Sequence, residues 1–410
     1  MKVSKAAMAF LLCGAAVIVP AASAQPVPAP GTLTLTAPER AALLPLRQAV
    51  EARNWAAASA ALPAARAAAR GEAARYAVAR MELDIAIGTQ NRTAQSQAIS
   101  AILDSRGAPL DEQAELLRQY AAIAYDVGNL NTAEASLNRA LQIAPNDAEA
   151  LSMLGQLNRN RNRSAQALTF FDRAFRAAEA SGRRLPESRY RVAVAMAEQA
   201  GSRQAAVEFA RQLVLAYPTP VNWRDTIIVL RTAGAPVDPA YNLDALRLMR
   251  AAGALAGERD YMALAQALDQ AALPGEVKAV LDEGVAKGMV AAADAAPRAL
   301  LTSANQRIGR ERGGLTAQIS QARGATATAA QARTVADTLF GYGRYAEAAE
   351  LYRLALTRAG EDPGLLNTRL GASLAMAGQR AEAEAAFRAT TGPRAELAAL
   401  WLAWLARRPG

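Results

Sequence analysis

Histidine is missing from all 410 residues, and the single cysteine, Cys13, sits in an N-terminal apolar run. Beyond that run the chain offers neither imidazole nor thiol. This excludes Ser-His-Asp and Cys-His catalysis, the usual zinc, copper and haem ligand sets, and disulfides. No cofactor and no metal is expected. Aromatic residues make up only 5% of the chain, which argues against a large aromatic core. Valine and isoleucine are sparse and period-2 alternation is hard to find, so strands are disfavoured.

Alanine and arginine are abundant instead. Lys2, Lys5, Lys278 and Lys287 are the only lysines, so 42 of the 46 basic residues are arginine. Alanine lets helices pack closely, which suits stacked hairpins. The formal net charge is +9, or +7 once a leading segment carrying Lys2 and Lys5 is removed. Such a surface attracts anionic partners or membrane headgroups, although a coding bias would produce the same composition. The arginines are spread along the chain without interleaved aromatics, so nucleic acid is not an expected partner.

Residues 1–24 have the parts of a secretory signal. Lys2 and Lys5 give a positive start, Ala6 to Val19 an apolar stretch too short to span a bilayer as an ordinary helix, and Ala22-Ser23-Ala24 a cleavage site before Gln25. The expected location is periplasmic. A lipoprotein and an uncleaved anchor are the alternatives, and Phe10-Leu11-Leu12 lacks the small residue a lipobox places before cysteine. Gln25 to Glu39 is proline-rich and reads as a flexible leader.

Internal periodicity is the strongest signal. Ala114 to Asp147 places Leu117, Tyr120, Ala121 and Ala124 before Gly128-Asn129, then Ala133, Leu137, Ala140 and Pro145. This resembles the tetratricopeptide repeat, a helix–turn–helix unit of about 34 residues. In that pattern small residues sit where the A and B helices cross, a glycine turns the chain after helix A, and a proline ends helix B. A second unit begins at Ala148 (Leu151, Leu154, Gly155, Ala167, Phe171, Ala174), with Asn162 in the glycine slot. A third begins at Glu187, after the insertion GRRLP, with Tyr190, Ala197, Gly201, Ala206, Leu213 and Pro218. Two more begin at Ala329 (Ala336, Gly343, Ala348, Tyr352, Ala355) and Gly364 (Leu370, Gly371, Gly378, Ala383, Phe387).

The remainder is more degenerate. Arg53-Asn54-Trp55 opens what looks like the back half of a unit, and Tyr76 to Gly107 could be another. Glu258 to Lys287 reads as two helices broken at Leu273-Pro274-Gly275, and Pro297 to Arg323 as a helical stretch interrupted by Gly313-Gly314. The final helix follows Gly392-Pro393. Its stripe of Leu397, Leu400, Trp401, Trp404 and Leu405 caps the last repeat or, alternatively, docks on a membrane or partner.

The expected fold is all-α, a right-handed α-solenoid (superhelix) of tetratricopeptide-like hairpins. Its expected organisation is a signal at 1–24, a leader at 25–39, degenerate hairpins at 40–113 and repeat units at 114–220. Divergent helices follow at 221–328, repeat units at 329–392 and a capping helix at 393–410. Three stretches also resemble an exported tetratricopeptide-repeat family of Gram-negative bacteria: Gly257 to Tyr261, Leu273 to Gly288, and the run through Tyr345 to Ala349, Asn367 to Gly371 and Gly392 to Arg394. That resemblance implies an envelope location and brings no catalytic residues.

Tetratricopeptide arrays bind ligands in a concave groove lined by helix A. Carried onto this chain, the lining positions are Arg118, Tyr125 and Asp126, then Gln156, Arg159 and Asn160, then Arg191, Glu198 and Gln199, and finally Arg333, Asp337 and Phe340. Ala122 stands where a carboxylate clamp needs asparagine, which rules out that mode. The expected function is a non-enzymatic scaffold of the cell envelope gripping a protein or peptide partner in the groove. The alternative is peptidoglycan binding or processing, with Glu187-Ser188 as the acidic candidate.

Overall fold

The computed structural model describes residues 34–232 and 238–407. The signal-like segment with Cys13, most of the expected leader, and Arg408 lie outside them. Among the described residues every regular element is helical: twenty α-helices and one 3₁₀ turn. None of these helices is long and apolar enough to cross a membrane. The chain divides into two compact units, residues 1–113 and 114–410.

The first unit contains α1 (Ala37–Glu51), α2 (Trp55–Ala68), α3 (Glu72–Gly88) and α4 (Arg92–Asp104), and then the start of α5 (Leu110–Asp126). α1 packs on α2 and α3 on α4. Leu43, Leu46, Ala58, Ala65, Val78 and Ile85 form a common core. The expected leader reached Glu39, but helix begins two residues earlier. Thr36 and Glu39 close a capping box, the Thr36 amide donating to the Glu39 carboxylate at 2.9 Å. Pro38 does not oppose this, because the first turn has amides without partners in any case. Glu39 also accepts from the amides of Arg70 (3.2 Å) and Gly71 (2.9 Å), tying the start of α1 to the α2–α3 connection.

The second unit continues with α6 (Leu130–Ile143), α7 (Ala148–Asn160), α8 (Ser164–Ala180), α9 (Glu187–Gln199) and α10 (Arg203–Ala216). α11 (Pro220–Thr232), α12 (Pro239–Ala251), α13 (Glu258–Gln270), α14 (Pro274–Ala286) and α15 (Ala295–Arg323) follow. α16 (Ala329–Gly341), α17 (Tyr345–Leu356), α18 (Pro363–Met376), α19 (Arg380–Arg388), a 3₁₀ turn (Gly392–Arg394) and α20 (Ala395–Leu405) complete it. Consecutive helices pair as hairpins, and each hairpin stacks on the next.

The repeat slots behave as their chemistry requires. Gly128 turns the chain at φ +78°, and Asn162 takes the same left-handed region at φ +57° in the following unit. The helix crossings are close where the A helix carries glycine. A Cβ built on Gly155 would lie 2.9 Å from the Phe171 ring, and one on Gly371 would lie 2.5 Å from Phe387. Some of the few aromatics meet in a local cluster. Phe175 stacks on Tyr190 at 4.1 Å and meets Phe171 and Phe209 at 5.9 and 5.6 Å.

Two features depart from the repeat pattern. α15 runs unbroken through Gly313-Gly314 for 29 residues. Its stripe of Ala304, Ile308, Leu315, Ile319 and Ala322 is buried on both sides of the glycines, and that packing offsets a glycine penalty of roughly 1 kcal/mol each. The second feature is a closure. α20 packs on α18 and α19, and also on α10, while α12 meets α18. Arg203 of α10 pairs with Glu396 of α20 at 2.5 Å, and the Trp404 indole N–H donates to the Ala251 carbonyl at 3.1 Å. Trp401 and Trp404 are 1% and 7% exposed, so the tryptophan stripe faces the protein's own helices. A membrane cannot reach it in this conformation.

Candidate functional site

The expected groove positions fall into two groups with different fates. Those of α5, α7 and α9 are on accessible surface, and most take part in bonds between repeats. Tyr125 Oη accepts from Asn160 Nδ2 at 2.5 Å, a pairing 35 residues apart and so about one repeat. Gln156 Oε1 accepts from Arg189 Nη1 at 2.6 Å. Arg118 pairs with Glu115 on its own helix and lies 3.7 Å from Asp147. Arg191 bridges Glu187 at 3.0 Å on α9 to Asp225 at 3.1 Å on α11, and also donates to Asn222. Farther along, Arg224 holds Asp260 at 2.7 Å and Arg250 holds Glu283 at 2.8 Å. Apart from Arg118–Glu115 and Arg191–Glu187, these pairs join neighbouring repeats: Tyr125, Gln156, Arg191 and Arg224 link successive members of α5, α7, α9, α11 and α13, whereas Arg250–Glu283 links α12 to α14.

Asp126, Arg159, Glu198 and Gln199 remain exposed at the C-terminal ends of α5, α7 and α9. Arg159 and Gln199, with Asn162, Ser164, Val192 and Met196, line a shallow pocket of about 440 Å³. The Arg159 guanidinium makes no ion pair or side-chain hydrogen bond among the described residues. The pocket therefore presents a cation and an amide beside apolar Val192 and Met196.

The second group leaves the candidate surface. Asp337 and Phe340 are 5% and 8% exposed, and Arg333 is half-buried between Asp337 (3.2 Å) and Glu361 (3.0 Å). Asp337 accepts from Arg369 at 2.8 and 2.9 Å and from the Tyr352 hydroxyl at 2.5 Å. Arg369 continues to Asp244 at 3.0 Å, which Arg394 reaches at 2.5 Å. Arg247 joins Asp244 at 3.4 Å to Glu276 at 2.6 Å and lies over the Phe340 ring at 4.7 Å. Three arginines thus balance three carboxylates in the interior. Burial pushes Asp244 upward, but Arg369, Arg394 and Arg247 outweigh it and hold the carboxyl below its ordinary range. Asp337 occupies a groove slot of its repeat, but the facing side is filled by the chain itself. The partner, Asp244, lies 125 residues from Arg369, beyond the reach of a repeat-by-repeat reading. The one local trace is Asp244 and Arg247 standing in an otherwise apolar stretch of α12.

Glu187, the acidic candidate for peptidoglycan chemistry, accepts from Arg191 and Asn222. These bonds hold its carboxyl below the ordinary range. That direction is opposite to the upward shift by which a carboxyl is tuned for general-acid work near neutral pH.

No protein-family model and no curated protein matches the sequence. Solved structures similar to the chain include a MamA protein, at 14% identity over 48% of this chain and 94% of that one, with a TM-score of 0.32. A tetratricopeptide repeat protein from Parabacteroides merdae ATCC 43184 is 16% identical over 72% of this chain and 99% of its own, with a TM-score of 0.25. A structure of Naa15/Naa10 bound to HypK-THB is 13% identical over 79% of this chain and 63% of that chain, with a TM-score of 0.30. The hairpin architecture stands on this chain's own helices and turns.

Proposed function

We propose that the protein is a non-enzymatic scaffold whose α5–α7–α9 face grips an extended peptide or a helix of a protein partner. The observation that carries this is the contrast along one face. Most of its polar side chains are engaged between repeats, while Arg159 and Gln199 stay unengaged around a mainly polar pocket that Val192 and Met196 also line. A prearranged face of this kind loses little side-chain freedom on binding. Acidic or amide groups on the partner would meet Arg159, and a small apolar side chain would meet Val192 and Met196. The signal-like residues 1–24 support a periplasmic place of action, with peripheral envelope association through the partner. Fractionation that finds the full-length chain only in the cytoplasm would remove the envelope part of the proposal.

The test is a photo-cross-linkable residue at Gln199 in cells, with and without Arg159→Glu. A discrete adduct at Gln199 that Arg159→Glu removes, with unchanged circular dichroism, is the expected result. Equal adducts from Gln199 and from exposed Arg139 on α6, insensitive to Arg159→Glu, would sink the proposal.

A further inference from the structure

The GRRLP insertion before α9 breaks the 34-residue spacing and plays no part in the A-helix face. It places Arg183 and Arg184 at the rim of a pocket of about 250 Å³. Phe175 of α8 and Tyr190 of α9 line that pocket, stacked on each other at 4.1 Å. Arg407, at the end of α20, lines the same pocket although it is more than 200 residues away in sequence. It arrives there because α20 docks on α10 through Arg203–Glu396 and on the end of α12 through the Trp404 indole, which donates to the Ala251 carbonyl. None of the three arginines makes an ion pair or a side-chain hydrogen bond among the described residues. Glu179 is the one carboxylate lining the pocket, so three cations face one anion.

We propose that this pocket is a binding site for the oxyanion, carboxylate or phosphate, of a compact ligand about the size of one amino-acid residue. Guanidinium groups bind carboxylate and phosphate through paired parallel hydrogen bonds, and a desolvated aromatic floor strengthens such bonds while accepting the apolar part of the ligand. Gathering unpaired arginines costs repulsion, which an anion relieves. The site lies near the N-terminal end of α9. Tyr190 is about 14 Å along the helix from Gln199 at the other end, so the site is separate from the proposed partner face and does not depend on it.

The test is calorimetric titration of the purified protein with three probes: inorganic phosphate, an N-acetylated alanine with a free carboxylate, and its C-terminal amide. The expected result is saturable binding of at least one anion, no binding of the amide, and a loss of tenfold or more in the double variant Arg183→Ala/Arg184→Ala. Arg407→Ala should weaken the same anion, whereas Arg139→Ala on α6 should not. Binding of the carboxylate alone, of phosphate alone, or of both distinguishes the natural source of the oxyanion and supports the site in each case. Absence of saturable binding by either anion up to about 10 mM, an affinity too weak to be worth more than about 3 kcal/mol, would overturn the proposal. So would equal affinity in the double variant, since these are exposed loop residues whose replacement leaves the helices intact.

Discussion

At the scale of single residues, the repeat slots were readable because each has a local steric reason. Gly155 and Gly371 sit opposite aromatic rings, and their lack of a Cβ is what lets the helices cross so closely. Phe387 cannot retreat easily, because it stacks on Trp401 at 5.6 Å. Gly371→Ala is expected to destabilise the second unit by about 1–3 kcal/mol, as overpacking does, measured by urea denaturation. No loss of stability would mean that the crossing is looser than described. Glu39 gives a pH prediction in the first unit. The amides of Gly71 and Thr36 and the Thr36 hydroxyl hold its carboxyl near 2, against an ordinary 4.5. A depressed folded pKa stabilises above the unfolded value, and that contribution is lost as pH falls toward 2. The difference in melting temperature between the wild type and Glu39→Gln should therefore be largest near neutral pH and shrink between about pH 4.5 and 2. A difference that does not change with pH would contradict this role. Composition could not reveal this bond, since its two ends are 32 residues apart.

At the scale of elements, boundaries were legible where a cap or turn announced them and misjudged where burial overrode local chemistry. Pro274 opens α14 as its sequence implied, because proline at the first turn loses no hydrogen bond. Gly313-Gly314 did not break α15, because the buried stripe continues across it. Both lie inside the helix; a Cβ on Gly313 would meet open space, and one on Gly314 would make ordinary contact with Gln318 at 3.7 Å. Gly313→Ala is expected to stabilise by about 0.5–1 kcal/mol, read as a rise in unfolding midpoint. A fall would show that the helix is not continuous there. The expected leader likewise gave way to α1, because the capping box at Thr36 and Glu39 outweighs the impression left by neighbouring prolines.

At the scale of the second unit, closure was invisible to sequence. Repeat logic describes neighbours, whereas Asp244, Arg369 and Arg394 meet across 125 and 150 residues. The expected groove positions of α16 are occupied internally, which is why the partner is proposed to bind the α5–α7–α9 face. Removing one member leaves opposite charges buried and unpaired. Arg369→Ala should therefore cost about 3–5 kcal/mol, with new protease sensitivity at α18–α20. A loss under about 1 kcal/mol, the level of an exposed ion pair, would contradict the buried network.

The central claim is that a partner binds the open face and spares the closed end. Hydrogen exchange of the protein with and without its cross-link-identified partner tests this most directly. Slower exchange at the C-terminal ends of α7 and α9, around Arg159 and Gln199, with α16 and α18 unchanged, is the result the structure predicts. Protection confined to α16–α20, with α7 and α9 unaffected, would contradict it.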